Sequence, residues 1–267
     1  MKQDLQKATE LANRYTLVKK LGSGGAAETW LAKDRMTRAQ VALKILADER
    51  LTIAALRKEW QTSIRLMHAH IVRVFEFNDD PDCAFYTLQF IDGPDISALA
   101  GAPLEDLLPP LALIADALRY AHGKGVVHRD IKASNILLDH NGAPYLIDFG
   151  VASARSANGA GGSLIAASPQ SLAGESPQPA DDIFALGGLI YELVAGRSPY
   201  SSTATDEAIR TAVPPPWTTA AGATAPEAVQ QLVAAMHDKD AGRRPDAAAV
   251  VDALQQAGFP GAPAPTR

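Results

Sequence analysis

Apolar residues fall into two kinds of run along this chain. Over residues 15–21, 29–32, 41–46, 72–77 and 84–89 they come in short stretches bounded by turn-forming residues, the pattern of five β-strands. A hairpin is predicted from the runs 136–138 and 145–147, which flank the turn pair Asn141-Gly142. Elsewhere apolar positions recur every three or four residues, as in amphipathic helices. Residues 51–66 carry such a stripe at Ile53, Leu56, Trp60 and Ile64, extended by Met67. A short helix is predicted over 104–108, and Pro109-Pro110 is expected to open the next, with Leu111, Ile114, Ala115, Leu118 and Ala121 as its buried face. Further helices are predicted from Pro179 through Val194 to a cap at Gly196, and over 205–211, 226–237 and 247–257. Strands first and helices after give an α+β chain.

Composition narrows this picture only slightly. A formal charge of −5 over 267 residues argues against nucleic acid or an anionic membrane as partner. The single Cys83 excludes an intramolecular disulfide framework and reads as a small buried hydrophobe. His68 and His70 lie close together without further ligands of suitable spacing nearby. The first residues carry no apolar core of a signal peptide and no stretch suffices to span a bilayer, so a cytoplasmic location is expected. The Pro/Ala/Gly-rich residues 259–267 read as a linker or tail.

The chemistry concentrates at the predicted hairpin. Val-His-Arg-Asp-Ile-Lys-Ala-Ser-Asn, starting at Val127, precedes its first strand and Asp148-Phe149-Gly150 follows its second. Two carboxylates, an amide and an ammonium gathered there suit Mg2+ and a polyphosphate better than a core. The order H-R-D-x-K-x-x-N then D-F-G resembles the signature of protein kinases, most nearly the bacterial kinases that are similar to eukaryotic Ser/Thr kinases. The resemblance covers about residues 14–258 and implies two lobes, 14–90 and 94–258. It implies a five-stranded small lobe with helix C and a mainly helical large lobe.

That resemblance also implies roles. Gly22, Ser23, Gly24 and Gly25 would fold backbone amides over ATP phosphates, Thr29 and Ala42 would cover the adenine, and Lys44 would reach the phosphates. Glu59 would pair with Lys44. Leu88, Gln89 and Ile91 would form the hinge against adenine, and Asp95 would meet the ribose. Asp130 would accept the proton of the substrate hydroxyl and Lys132 would stabilise the transferring phosphoryl group. Asn135 and Asp148 would hold Mg2+, or Mn2+ in its place, and Asp182 would accept backbone N–H groups of the catalytic loop. Arg129 would pair with the activation segment and His128 would pack beneath Phe149.

The departures from the family pattern lie in the glycine-rich loop and the activation segment. Ala27 stands at the third glycine, Ala166 at a usual tyrosine, and Gln170 at a carboxylate expected to pair with Arg244. The expected activity is transfer of the γ-phosphoryl of ATP to a protein Ser or Thr, with Ser153, Ser156 and Ser163 as autophosphorylation candidates. Against it stand a nucleotide-binding pseudokinase with a regulatory or scaffold role and an enzyme phosphorylating a small-molecule hydroxyl. Homodimerisation through the small lobe is left open.

Overall fold

The computed structural model describes residues 9–24, 27–47, 52–80, 83–149, 167–200, 206–212, 217–220, 222 and 224–258. It divides into two compact units, Met1–Asp92 with Phe149–Gly161, and Gly93–Asp148 with Gly162–Arg267.

The first unit is built on a six-stranded sheet: β1 (Glu10–Leu11), β2 (Tyr15–Gly24), β3 (Ala27–Asp34), β4 (Gln40–Leu46), β5 (Val74–Asn78) and β6 (Phe85–Gln89). Their order is β1-β2-β3-β4-β6-β5, all pairs being antiparallel. Five strands were expected from the apolar runs. The sixth, β1, has only two residues, paired Glu10 to Thr16 and Leu11 to Tyr15. Its reverse turn uses Ala12 and Asn13 at φ 51° and 52°, so no glycine advertises it.

Alternation along the strands separates two faces of the sheet. Trp30, Ala32, Val41, Leu43, Ile45 and Phe85 bury one face as a core together with Leu11, Tyr15 and Leu17, and Cys83 packs against its edge, half-buried. Burial pushes the Cys83 thiol up. At the rim, Arg14 donates to buried Asp34 at 2.7 Å and to Glu76 at 2.9 Å. Hydrogen bonding from Arg14 holds the Asp34 carboxyl well below the usual carboxylate range, against the opposing effect of burial.

Helix α1 (Ile53–Ser63) starts at Thr52, whose side chain accepts the Ala55 amide at 3.1 Å. The expected apolar stripe is not its buried one. Leu56, Glu59 and Ser63 are buried, whereas Ile64 and Met67, just beyond the helix, are 37% and 71% exposed. At 100° per residue, the buried line is turned roughly 70° from the apolar stripe. Polar contacts, described below, override the hydrophobic pattern.

The second unit is assembled around helices α2 (Leu104–Gly123), α4 (Pro179–Ala195), α6 (Glu227–Met236) and α7 (Ala247–Gly258), with short helices α3 (Pro169–Leu172) and α5 (Asp206–Thr211). Leu107, Leu111, Ile114 and Leu118 of α2 are fully buried, each contributing about 1.5–3 kcal/mol of transfer energy. The break expected at Pro109-Pro110 does not occur; both lie inside α2. Neither proline can donate to the carbonyls of Glu105 and Asp106, but both residues lie on the exposed side of the helix. Helix α4 ends as expected on Gly196, left-handed at φ 67°. Among the described residues, no helix is long and apolar enough to cross a membrane.

His237, just after α6, is 2% exposed and neither ring nitrogen has a hydrogen-bond partner among the described residues. Its ring packs edge-on against Phe184 at 4.7 Å and Tyr200 at 6.0 Å. Beside it, Arg244 donates to Gln170 Oε1 at 2.6 Å, Ala180 O at 2.9 Å and Asp238 O at 2.8 Å. The Gln170 amide in turn donates to Lys239 O at 2.8 Å, so both of its ends are used.

Candidate active site

The expected site residues fall into two groups, one in each unit. In the first unit, the pleat that buries Leu43 and Ile45 puts Ala42 and Lys44 on the opposite sheet face. Register then adds their neighbours: Thr29 opposite Lys44, Leu88 opposite Ala42, and Tyr86 opposite Lys44. Gly22 and Ser23 pair with Thr29 and Glu28 at the end of β2, and Gly24 pairs with Ala27. Ala27 is buried in β3 and does not take a positive φ, so alanine at this position costs the backbone nothing. Gly25 lies outside the described residues. Gln89, at the end of β6, donates its amide to Arg73 O at 2.8 Å, and Ile91 is buried just beyond.

Lys44 Nζ meets Glu59 Oε1 at 2.6 Å, joining β4 to α1. The same oxygen accepts the Tyr86 hydroxyl at 2.6 Å. One turn along α1, Ser63 Oγ lies 3.1 Å from Phe149 O and 3.0 Å from Glu59 O. Tyr86 and Ser63 escaped the sequence reading. Strand alternation from Leu88 marks Tyr86, and the four-residue spacing from Glu59 marks Ser63.

In the second unit the hairpin is β7 (Ile136–Leu138) and β8 (Pro144–Leu146), the second strand starting one residue earlier than predicted. Just ahead of it, Asp130 Oδ2 receives Lys132 Nζ at 2.7 Å and Asn135 Nδ2 at 2.9 Å. Asn135 Nδ2 also donates to Asp130 O at 2.7 Å. Ile147 N donates to Asn135 O at 2.9 Å, tying the segment before Asp148 to the same loop.

The loop is held in an unfavourable backbone conformation. Arg129 and Asp148 have φ of 73° and 58°, a region that non-glycine residues enter at a cost. Buried Asp182 at the start of α4 stabilises the first of these by accepting the amides of His128 at 2.8 Å and Arg129 at 2.7 Å. His122 of α2 reaches the same carboxylate at 2.8 Å. The adjacent Asp181 does different work, bonding Ser168 Oγ at 2.5 Å and capping the Gln178 amide. His128 Nδ1 accepts the Asp130 amide at 3.2 Å, which leaves its Nε2 to donate to Ile147 O at 2.8 Å. A single imidazole thus links the loop to the residue before Asp148.

Asp95 has a local task. Its Oδ1 accepts the amide of Ser97 at 2.9 Å and its hydroxyl, capping the short 3-10 helix Ile96–Leu99. The serines proposed for phosphorylation, Ala166 and the partner of Arg129 fall outside the described residues.

The comparisons agree with one another. The family described as protein kinase domain matches residues 15–254. Serine/threonine-protein kinase PrkC of Bacillus subtilis (strain 168) is 33% identical over 204 residues, covering 71% of this chain and 32% of its own length. DNA damage-responsive serine/threonine-protein kinase RqkA of Deinococcus radiodurans is 30% identical over 267 residues, covering 92% of this chain and 40% of its own. PknA of Corynebacterium glutamicum is 31% identical over 255 residues, covering 86% of this chain and 53% of its own. The chain therefore spans about a third to a half of these relatives. Its six-stranded sheet with one helix, its helical second unit and this match over nearly its whole length place the chain in the protein kinase domain family.

Proposed function

We propose that this domain transfers the γ-phosphoryl group of ATP to a serine or threonine hydroxyl of a protein, itself included. The observation that carries the reading is the Asp130 carboxylate fixed between Lys132 and Asn135, on a loop whose strained backbone is anchored by Asp182. A carboxylate so held can take a hydroxyl proton and align the oxygen for in-line attack. Lys132 neutralises charge on the group in transit. Lys44, oriented by Glu59, would hold the α- and β-phosphates, while backbone groups from Gln89 to Ile91 would read adenine and Asp95 would meet the ribose.

Asn135 spends its amide nitrogen on Asp130, which leaves its oxygen as a hard ligand, and Asp148 supplies a carboxylate. This donor set fits Mg2+ or Mn2+, and these two residues would hold it. Such an ion, when bound, neutralises phosphate charge. Gln170, placed where the family pattern has a carboxylate, satisfies Arg244 and the Lys239 carbonyl together, which weakens the case for a decayed pseudokinase.

The test is label transfer from γ-labelled ATP with Mg2+ to the protein and to a generic basic substrate. Asp130→Asn and Lys44→Met variants run alongside, with nucleotide binding recorded on the same samples. Label on the wild type that disappears in both variants is expected. Binding without label on any acceptor would replace this reading with the pseudokinase.

A further inference from the structure

We propose that Tyr86 and Ser63 are positioning residues that hold α1 in the orientation where Glu59 meets Lys44. The inference rests on the phosphotransfer reading for its kinetic part. Its structural part stands on the first unit alone.

The apolar stripe of α1 would bury Trp60 and Ile64, yet the helix buries Glu59 and Ser63. Burying two polar side chains in place of apolar ones is unfavourable unless each is hydrogen-bonded. Both are. Glu59 Oε1 accepts from Lys44 Nζ and from Tyr86 OH, each at 2.6 Å. Tyr86 is 2% exposed and Glu59 6%, so this phenol–carboxylate bond is made away from water. Ser63, also 6% exposed, has one hydroxyl proton for two acceptors, Glu59 O and Phe149 O. Given to Phe149, that proton connects the helix to the residue after Asp148.

The two contacts act at successive turns on one face of α1. A lysine alone fixes a glutamate only as a flexible point charge. The phenol approaches from a rigid strand neighbour of Lys44, since Tyr86 and Lys44 are register partners. Together the hydroxyls resist the roughly 70° roll that would serve the apolar stripe. On this view the ion pair is assembled by contacts inside the first unit and needs no phosphate elsewhere to form.

The experiment uses the full chain with 5-fluorotryptophan, reading the 19F resonance of Trp60 on α1, assigned by Trp60→Phe. Tyr86→Phe, Ser63→Ala and Ser63→Thr are compared with wild type, with kcat and KM for ATP measured on the same proteins. Tyr86→Phe and Ser63→Ala are expected to shift or split the Trp60 resonance. Each is expected to lower kcat about tenfold, equivalent to about 1.4 kcal/mol, with KM for ATP within about twofold. Ser63→Thr, which keeps the hydroxyl, should match wild type in both. An unchanged Trp60 resonance in Tyr86→Phe and Ser63→Ala would overturn the proposal, as would a shifted resonance with full kcat. A Ser63→Thr variant behaving like Ser63→Ala would overturn the role of that hydroxyl. If the wild type shows no Lys44-dependent transfer, the phosphotransfer reading fails, and the Trp60 resonance still decides whether the hydroxyls seat the helix.

Discussion

Exchanging His237 for leucine should flatten the acid limb of the stability profile. The imidazole is buried against Phe184 and Tyr200, and burial pushes its pKa from the ordinary 6.5 down to about 3. Lys239 and Arg244 push in the same direction, while the Val233 carbonyl, outside hydrogen-bonding geometry with the ring, opposes them. The folded state therefore binds this proton less readily than the unfolded chain. Stability is unaffected well above pH 6.5 and falls as the pH drops below that value, until the folded form itself protonates near 3. The slope between is about 1.4 kcal/mol per pH unit, which gives a loss of about 2 kcal/mol at pH 5. Urea titrations of wild type and His237→Leu at pH 7.5 and pH 5.0 isolate it, because the packing cost of the substitution is the same at both pH values and the carboxylates titrate alike in both proteins. The 19F signal of Trp217, packed against Tyr191 of α4 at 5.0 Å, reports on the same unit. The double difference should be about 2 kcal/mol, or about 0.7 M in urea midpoint for an m-value of about 3 kcal/mol/M. A value below about 0.5 kcal/mol would refute the argument that this ring is held neutral by burial.

Three other substitutions probe separate contacts. Asp182→Asn sets an amide against the His128 and Arg129 N–H groups; it should cost about 3 kcal/mol in urea unfolding and lower phosphate transfer at least 100-fold. Gln170→Ala removes, among the described residues, one of three acceptors of the buried Arg244 guanidinium and the donor to Lys239 O, and should lower unfolding free energy by about 2 kcal/mol, read at pH 7.5. Gly93→Ala would place a methyl carbon 1.9 Å from Leu138 O, backbone against backbone, and should cost about 4 kcal/mol or more; a melting temperature within about 3 °C of wild type would contradict it.

The elements were legible where one physical signal dominated. Short apolar runs between turn residues gave β4 and β6, and periodicity gave α6, whose Val229, Leu232, Val233 and Met236 are its buried residues. Lys44 and Glu59, 15 positions apart, are indeed brought together. Asp182 was expected to accept the loop amides and does so, whereas the task of the adjacent Asp181, which bonds Ser168 and the Gln178 amide, emerged only in three dimensions. On α1 the inward Glu59 was expected, but the burial of Ser63 and the exposure of Ile64 and Met67 were not, because hydropathy counts serine as solvent-facing whereas Phe149 O and Glu59 O give its hydroxyl acceptors. The strand β1 was invisible because two residues carry no period and its turn has no glycine. Helix α2 passed through its prolines because tertiary burial of leucines on both sides of them outweighs two missing hydrogen bonds.

The left-handed backbone at Arg129 and Asp148 sets stability and chemistry at odds. Glycine would occupy either position without the steric cost, a gain of about 1 kcal/mol at each. A laboratory selection that rewarded only heat resistance would thus favour glycine there, erasing the Asp148 carboxylate proposed to hold a cation and the Arg129 side chain. Sequence libraries of this domain sorted for folding and for phosphate transfer should consequently diverge first at these two codons.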